Sequence, residues 1–232
     1  MCFNIEMSTT FCIIGFLLSG FLYKNDRYSQ TMIVVYYSLM ELLQTISYLY
    51  KDQCNTTINL SLTWVAHILV IFQPALWSLY RYNTQRKNKE IFKFCGILSL
   101  IWAFFFTHRL FYIPTGKGIL HNTLDINEVN VGENYCMLGG PKHIMWVLPY
   151  QRINGFEANY FTYLLLWFVP TLYEDNYGWL KLLYWLSQVL IVNRVCDSIH
   201  ELSSIWCLAS IPIVIGLFGN CLYEDYFKSK KN

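Results

Sequence analysis

The chain has 232 residues, of which 55% are hydrophobic, 18% aromatic and 14% charged, with a formal net charge of +2. Soluble globular domains have about 25% charged residues, so the composition favours a membrane protein. The chain has no basic stripe that would indicate nucleic-acid binding, and it has no Walker loop, dinucleotide fingerprint or Cys-x-x-Cys pair.

The first apolar run, TFCIIGFLLSGFLY, favours a retained helix over a signal peptide. A signal peptide has its positive charge before the apolar core. Here Glu6 precedes the run, and Lys24 and Arg27 follow it. We therefore expect a first transmembrane helix whose N-terminus lies outside the cytosol.

Six further runs approach the roughly 20 apolar residues that a membrane-spanning helix needs. The sequence thus predicts an all-α membrane protein, a seven-transmembrane-helix bundle that forms a single domain over residues 1–232. The fifth run is short and contains Pro170, which would kink or end it. If 156–194 formed a re-entrant pair, the count would be six. The predicted spans are 6–23, 30–50, 60–80, 92–112, 156–173, 177–194 and 201–222.

Lysine and arginine residues predict the orientation, because they are enriched in cytoplasmic loops. One set of loops and ends, which includes the RYNTQRKNKE loop and the C-terminus, carries most of them. The basic residues of the other side lie largely in or beside one long loop, where they count for less. The sequence therefore predicts an extracellular or luminal N-terminus and a cytosolic C-terminus.

The long outer loop, residues 113–155, contains the strand-like segment HIMWVL among many glycines and prolines. This pattern is typical of a hairpin, so a small β-hairpin lid over the outer mouth of the bundle and a mobile loop are the two alternatives.

Four cysteines fall on the oxidising outer side, and four allow three complete pairings. We favour a disulfide between Cys54 and Cys136, which would tie the long loop to the turn between spans two and three; free thiols are the alternative. Asn55 opens the acceptor pattern Asn-Thr-Thr, a candidate glycosylation site that lies close to the expected bilayer.

The run YYSLMELLQTISYLY carries Glu41, the only carboxylate deep inside any predicted span. An ionised carboxylate at the bilayer centre costs roughly 2.5–3.5 kcal/mol on insertion scales, and such residues usually face the bundle interior. Tyr37, Glu41, Gln44 and Tyr48 recur at helical spacing. We therefore expect Glu41 to face protein.

Two other spans add polar groups at similar expected depths. The third has His67 and the pair Gln73-Pro74, and Pro74 should leave the carbonyl of Val70 in need of a partner. The seventh opens with DSIHELSSIWC. We expect an outward-opening pocket lined by Glu41, Gln44, His67, Gln73, His200, Glu201, Ser204 and Cys207.

Structural roles are the competing interpretation of the same residues. Glu41 with Gln44 and a tyrosine can form a neutral hydrogen-bonded clamp, and His67 can be a satisfied core histidine. His200 and Glu201 lie near the interface, where solvated charges are normal. His121 and His143 in the long loop are weaker ligand candidates, and no metal site is predicted.

Several phrases of the chain resemble an uncharacterised family of seven-helix membrane proteins found in bacteria and large DNA viruses. The phrases are MCF, LMELLQTISY, Cys54 followed by Asn59, HILVIFQP, CMLGGPKHIMWVLP and ELSSIWC. The resemblance implies the architecture and candidate residues, and no chemistry. The helix count and orientation are also similar to those of membrane hydrolases such as alkaline ceramidases. Their Ser-x-x-x-His and paired His-x-x-x-His motifs are absent.

Three functional hypotheses remain open. The first is a receptor, channel or carrier that binds a small molecule, lipid or ion in the polar pocket. The second is an intramembrane metal-dependent hydrolase, with His67 and residues such as His200, Glu201 or Cys2 as ligands and Glu41 as general acid or base. The third is a structural protein of the bilayer without a ligand. The sequence leaves the cofactor and the oligomeric state unknown.

Overall fold

The computed structural model describes residues 4–111, 120–153, 158–174, 177–208 and 210–229. The helices are α1 (Ile5–Lys24), α2 (Tyr28–Tyr50), α3 (Thr57–Ile71), α4 (Gln73–Thr84), α5 (Lys89–His108), α6 (Tyr160–Phe168), α7 (Gly178–Val195), α8 (Leu202–Leu208) and α9 (Ser210–Ser229). Short 3-10 turns at Val169–Tyr173 and Ile199–Glu201 extend α6 and precede α8.

The described helices combine into seven segments, as the sequence predicts. Three pairings, α3 with α4, α6 with its 3-10 extension, and α8 with α9, each correspond to one predicted span. Five segments are long and apolar enough to cross a membrane: Ile5–Lys24, Tyr28–Tyr50, Thr57–Thr84, Lys89–His108 and Ile199–Tyr226. Tyr160–Tyr173 is a shorter apolar helix.

Helices α1 and α2 pack closely because a glycine lies at their contact. A Cβ added to Gly15 would collide with the side chain of Ser38 on α2. Small residues at such crossings let two backbones approach. The N-terminus of α1 is capped by Asn4, whose side chain accepts a 3.0 Å hydrogen bond from the backbone N–H of Met7, which satisfies one of the free donors of the first turn.

The third predicted span is broken at Phe72, one residue before Gln73-Pro74. Sequence analysis expects Pro74 to free the carbonyl of Val70. In the structure a side chain from α2 reaches the break one residue earlier, where the hydroxyl of Tyr36 donates to the carbonyl of Leu69. A polar side chain thus supplies a partner at a break in the helix, as burial in an apolar environment demands.

A cluster of aromatic rings joins α4, α6, α7 and α8 in the core. The ring centroid of Trp167 lies 5.2 Å from that of Trp185 and 5.6 Å from that of Trp206. Trp77 contacts Trp185 edge-on at 5.4 Å. Such pairs add about 0.5–1.5 kcal/mol each beyond area burial, so this cluster fixes the relative positions of four helices.

The described part of the long loop, 120–153, which we call the lid, contains four short strands, and they confirm the predicted hairpin. They are β1 (Leu120–Leu124), β2 (Cys136–Gly139), β3 (Ile144–Val147) and β4 (Gln151–Ile153). The inner strands β2 and β3 pair antiparallel, and the outer strands β1 and β4 pair antiparallel around them.

The α2–α3 connection holds strand β2 in place. Cys54 and Cys136 form a disulfide, which is the pairing that the sequence favours. The buried side chain of Asn59 donates to the carbonyl of Met137 and accepts from its N–H, both at 2.9 Å. Asp52 accepts from the N–H of Gly139 at 2.8 Å. The lid is therefore bonded to the bundle by side chains that mimic a neighbouring strand.

The β2–β3 turn is bound to the start of the last helical segment by Glu201. One oxygen of its buried carboxylate, Oε1, accepts from the backbone N–H groups of Lys142 at 2.6 Å and His143 at 2.7 Å. A Cβ at Gly140 would collide with this oxygen and with the carbonyl of His143, so the turn requires glycine there. Ser204 adds a bond from its hydroxyl to the carbonyl of Ile144 at 2.5 Å.

His143, in the β2–β3 turn, is a buried neutral histidine that contacts Tyr48 of α2. Its Nδ1 accepts from the N–H of Ile144 at 2.7 Å and lies 3.2 Å from the hydroxyl of Tyr48. Burial lowers the pKa of His143 from 6.5 to about 4. Because Nδ1 is an acceptor, protonation would remove the bond from the Ile144 N–H.

We predict that Cys54→Ser loosens the lid while the helical bundle stays folded. Loss of a native disulfide costs typically 2–5 kcal/mol, and here the hydrogen bonds of Asn59 remain. Hydrogen exchange should accelerate in 120–153 and change little in α1 or α5. Peptide mapping without reductant should yield a linked Cys54–Cys136 pair; alkylation of both thiols without reductant contradicts the bond.

We predict that the docked lid becomes less stable as the pH falls from about 6.5 toward 4. The folded pKa of His143 is depressed, so its contribution is fully present above pH 6.5 and is lost below it. A fluorophore on Cys introduced at Ile126, which is 81% exposed, should report increasing lid mobility. His143→Gln keeps an acceptor and cannot titrate; if it shows the same acid response, His143 is not the cause.

Candidate functional site

Glu41 lies inside the bundle with its carboxylate buried. The residue is 3% exposed. Among the described residues, none hydrogen-bonds to either carboxylate oxygen. Cys12 and Cys207 lie close enough to interact with it electrostatically. The hydroxyl of Ser8 is also within reach of the carboxylate, but its bond in the structure is to Gln44, to which it donates at 3.3 Å. Buried polar groups are nearly always bonded, so this carboxylate needs an explanation.

A cavity of about 120 Å³ adjoins Glu41 between α1, α2 and α9. Its polar lining comes from Tyr37, Ser38, Glu41 and Ser210. The Ser38 hydroxyl already donates to the carbonyl of Val34 at 2.7 Å, and the Tyr37 hydroxyl accepts from the Trp77 indole at 2.9 Å. The remaining lining is apolar or glycine: Phe11, Ile14, Gly15, Leu18, Ile211, Val214 and Ile215. Glu41 is therefore the dominant polar group of the cavity wall.

Gln44 bridges three helices one turn away from Glu41. Its Oε1 accepts from Ser8 on α1 at 3.3 Å, and its Nε2 donates to the carbonyl of Ser204 on α8 at 3.4 Å. Cys207, one turn further along α8, interacts electrostatically with Glu41 and accepts from Gln44. The structure thus places Gln44, Ser204 and Cys207 near Glu41. Of the predicted pocket residues, however, only Glu41 lines the cavity between α1, α2 and α9, so a shared pocket stays a prediction.

His67 lies in a different environment, between α3, α5 and the lid. Its Nδ1 is 3.0 Å from the hydroxyl of Tyr150, and its Nε2 is 3.1 Å from the hydroxyl of Thr107. Its ring stacks on Phe106. Because both ring nitrogens have protein partners, this histidine has no nitrogen left for a metal ion.

Gln73 occupies the centre of the bundle with both ends bonded. Its Oε1 accepts from the hydroxyl of Tyr163 on α6 at 2.6 Å, and its Nε2 lies 3.0 Å from the sulfur of Met40 on α2. The side chain connects α4 to α6 and α2, and it has no contact with Glu41 in the structure.

Two predicted pocket residues, His200 and Glu201, lie at the start of the last segment, and Glu201 is bonded to the lid. Glu201 binds the β2–β3 turn, and its Oε2 is buried without a partner among the described residues. The backbone N–H of His200 donates to the Ser198 hydroxyl at 3.2 Å. Cys2 and the side chain of His121 lie outside the described residues. In the described part of the chain, no three His, Cys, Asp or Glu side chains lie close enough to hold a metal ion.

The sequence did not predict a buried ionic cluster around Arg109, at the C-terminal end of α5. Its guanidinium binds Glu128 at 2.6 Å and Asp125 at 2.7 Å. It also donates to the carbonyls of Gln151 and Ala158. Burial raises the pKa of Glu128 above its usual range, although Arg109 acts in the opposite direction. The signal was an arginine at the end of a predicted span, followed by acidic residues in the next loop.

Asn55 is exposed in the turn before α3, a position that leaves the acceptor pattern accessible. Its glycosylation stays a prediction.

Comparison with known proteins places almost the whole chain in one family. A family of unknown function (DUF5765) matches residues 6–224. The chain is 28% identical over 227 residues to an uncharacterised protein, R287, of Acanthamoeba polyphaga mimivirus, with 91% of each chain covered. No solved structure matches. The viral relative agrees with the resemblance found in the sequence, while an occurrence in bacteria stays a prediction. The chain belongs to the DUF5765 family of unknown function.

Proposed function

We propose that this chain is a multi-pass membrane protein, with its N-terminus outside and its C-terminus in the cytosol, that binds a small protonated amine at Glu41. It would act as a receptor or carrier for that ligand. The carboxylate without a partner, beside a cavity, is the observation on which the proposal rests.

The apolar helices support the membrane location. Five segments have the length and hydropathy of spans. Their outward faces carry large exposed apolar side chains, such as Leu17 at 71%, Phe94 at 65% and Phe104 at 68%. Soluble monomers rarely expose contiguous apolar patches of more than a few hundred Å². A hydrocarbon surrounding would cover these faces.

The geometry of Glu41 argues against the clamp interpretation. A clamp requires the carboxyl group to bond to another helix. The hydroxyl of Ser8 on α1 is within reach of Glu41, but it donates to Gln44 instead, and no described residue lies within hydrogen-bond geometry of either carboxylate oxygen. Gln44 makes the cross-helix bonds instead, to Ser8 and Ser204. An ion pair with a ligand would satisfy the carboxylate, since a buried charge is normally paired.

The cavity lining supports an amine rather than a divalent metal ion. Mg²⁺ and Ca²⁺ take six or more oxygen ligands, whereas Tyr37, Ser38 and Ser210 are the only oxygen-bearing side chains beside Glu41 in the lining. An alkyl group would pack against Ile14, Leu18 and Ile215. A cavity volume of about 10–15 Å³ admits one water molecule. The Glu41 cavity, of about 120 Å³, therefore suits a ligand of a few non-hydrogen atoms.

No observation favours the metal-dependent hydrolase. His67 is bonded at both nitrogens by Tyr150 and Thr107, and His200 and Glu201 belong to the region that docks the lid. A catalytic metal needs about three protein ligands around one point, and the described residues bring no such set together.

One prediction from the proposed function concerns membrane topology. In sealed vesicles of known orientation, Cys introduced at Asn88 should be labelled from the cytosolic side, and Cys introduced at Ile126 from the outer side. Both positions are exposed. The unmodified chain provides the background, since it contains other cysteines. Labelling of the Asn88 position from outside would contradict the proposed orientation.

Another prediction from the proposed function concerns amine binding at Glu41. Methylammonium or ethylammonium should raise the melting temperature of the protein in nanodiscs more than equal concentrations of sodium. Binding at 100 times Kd stabilises by about 2.7 kcal/mol. Glu41→Gln should abolish the amine effect and change the free energy of unfolding without ligand by about 1 kcal/mol or less, because the carboxylate makes no bond that the amide would lose.

Glu90→Gln is the matched control, since this exposed carboxylate at the start of α5 should leave the amine effect unchanged. Glu41→Leu distinguishes a ligand-binding role of Glu41 from a role as a clamp between helices. The sequence suggests that leucine would strand Gln44, but Gln44 bonds to Ser8 and Ser204 in the structure, so Glu41→Leu should fold normally. Its failure to fold, or an equal amine effect in Glu41→Gln, would contradict the proposal.

A further inference from the structure

A second cavity, of about 530 Å³, lies between the lid and the outer ends of α6 and α7. We call it the lid cavity. Its volume falls within the roughly 300–1,000 Å³ of small-molecule sites. The residues that matter for its chemistry are Asp125, Asn127 and Arg152 from the lid and Phe161, Leu190 and Asn193 from the helices.

The two walls of the lid cavity differ in character. The helical wall carries Phe161, which is 66% exposed, and Leu190, which is 67% exposed. The lid wall carries charged and amide side chains. An apolar rim beside a polar chamber is the arrangement that an amphipathic ligand requires, because its chains and its polar end need different surroundings.

The positive and negative side chains that line the lid cavity are equal in number. Arg109 and Arg152 provide two positive charges, and Asp125 and Glu128 provide two negative charges. Arg109 is fully occupied by Asp125, Glu128 and two backbone carbonyls. Arg152 forms no ion pair with any residue that the structure describes, and its side chain is exposed.

One cation and one acid therefore remain available to a ligand. The guanidinium of Arg152 can bind a phosphate in the bidentate manner. The carboxylate of Asp125 is 23% exposed and uses only Oδ2 for Arg109, which leaves Oδ1 for an ammonium group. Asn127 and Asn193 add neutral hydrogen-bonding groups.

We propose that the lid cavity binds the headgroup of a zwitterionic phospholipid from the outer leaflet. The phosphate lies at Arg152, the ammonium group at Asp125, and the acyl chains run along Phe161 and Leu190 into the bilayer. The proposal depends on the membrane location proposed above and is independent of Glu41. The balanced charges favour a zwitterionic headgroup over an anionic one.

The test measures lipid binding to the detergent-purified full chain by native mass spectrometry, with three probes. Short-chain phosphatidylcholine should bind, short-chain phosphatidylglycerol should bind more weakly, and glycerophosphocholine, which lacks acyl chains, should bind weakest. Arg152→Gln should weaken phosphatidylcholine binding about tenfold, the equivalent of about 1.4 kcal/mol, because one charge-assisted bond is lost.

Arg194→Gln is the matched control, since this exposed cation on α7 is absent from the cavity wall and should have no effect. Asn193→Trp should block the cavity, which gives a second variant that leaves Arg152 in place. Equal binding of the two lipids, or loss of binding in Arg194→Gln as large as in Arg152→Gln, would overturn the proposal. Binding of glycerophosphocholine as tight as that of the lipid would identify a soluble ligand instead.

The experiment distinguishes an error in the proposed membrane location from an error in the lid-cavity proposal. A chain that does not enter phospholipid nanodiscs contradicts the proposed function as a whole. A chain that enters nanodiscs and shows no headgroup preference contradicts the lid-cavity proposal alone.

Discussion

Polar groups inside an apolar bundle must find their partners within the protein, and this requirement determines much of the structure. Water is absent from such an interior, so an unbonded donor or acceptor costs several kcal/mol. Gln44 meets the requirement by joining α1, α2 and α8, Gln73 by joining α4 to α6, and Tyr36 by bonding to the break between α3 and α4. These bonds fix how the helices lie against one another. Glu41 differs from them, because neither oxygen of its buried carboxylate has a hydrogen-bond partner among the described residues, and the proposed ligand site rests on this difference.

The lid and the Glu41 cavity are connected through α8. Ser204 donates from its hydroxyl to Ile144 in the lid and accepts at its carbonyl from Gln44. Glu201, three residues earlier, binds the β2–β3 turn. Displacement of the lid would therefore change the position of α8, and with it the carbonyl to which Gln44 is bonded. This short path gives a physical means by which a movement of the lid would reach Gln44, one helical turn from Glu41.

The sequence predicts the number and order of the helices well because a run of apolar residues needs no partner to be recognised. The same holds for the hairpin, whose glycines, prolines and branched residues act locally, and for Cys54 and Cys136, which the predicted orientation places on one side. Contacts between side chains on different helices were harder to predict from the sequence. The sequence suggests that Glu41, His67 and the last helix share one pocket from depth alone, yet His67 faces α5 and the lid. Helical depth does not reveal which neighbour a side chain faces.

The sequence also could not reveal the partners of buried charges. Arg109 ends a predicted span and resembles an ordinary interfacial arginine, whereas its ion pairs with Asp125 and Glu128 depend on how the loop folds back. Glu201 resembles a solvated charge at a helix start. It is fully buried because the GGPKH turn brings two backbone donors to it. Contacts between distant segments decide these cases, and their sequence signal is weak.

Infrared difference spectroscopy of the carboxyl groups tests the central claim about Glu41 most directly. Spectra of the protein in nanodiscs would be recorded with and without ethylammonium, for the unmodified chain and for Glu41→Gln. We expect the amine to convert a protonated carboxyl signal to a carboxylate signal, because burial favours the neutral carboxyl and an ion pair favours the charged form. We expect Glu41→Gln to lack this change. A carboxyl signal that is unaffected by the amine, or a change that persists in Glu41→Gln, would contradict the proposed role of Glu41.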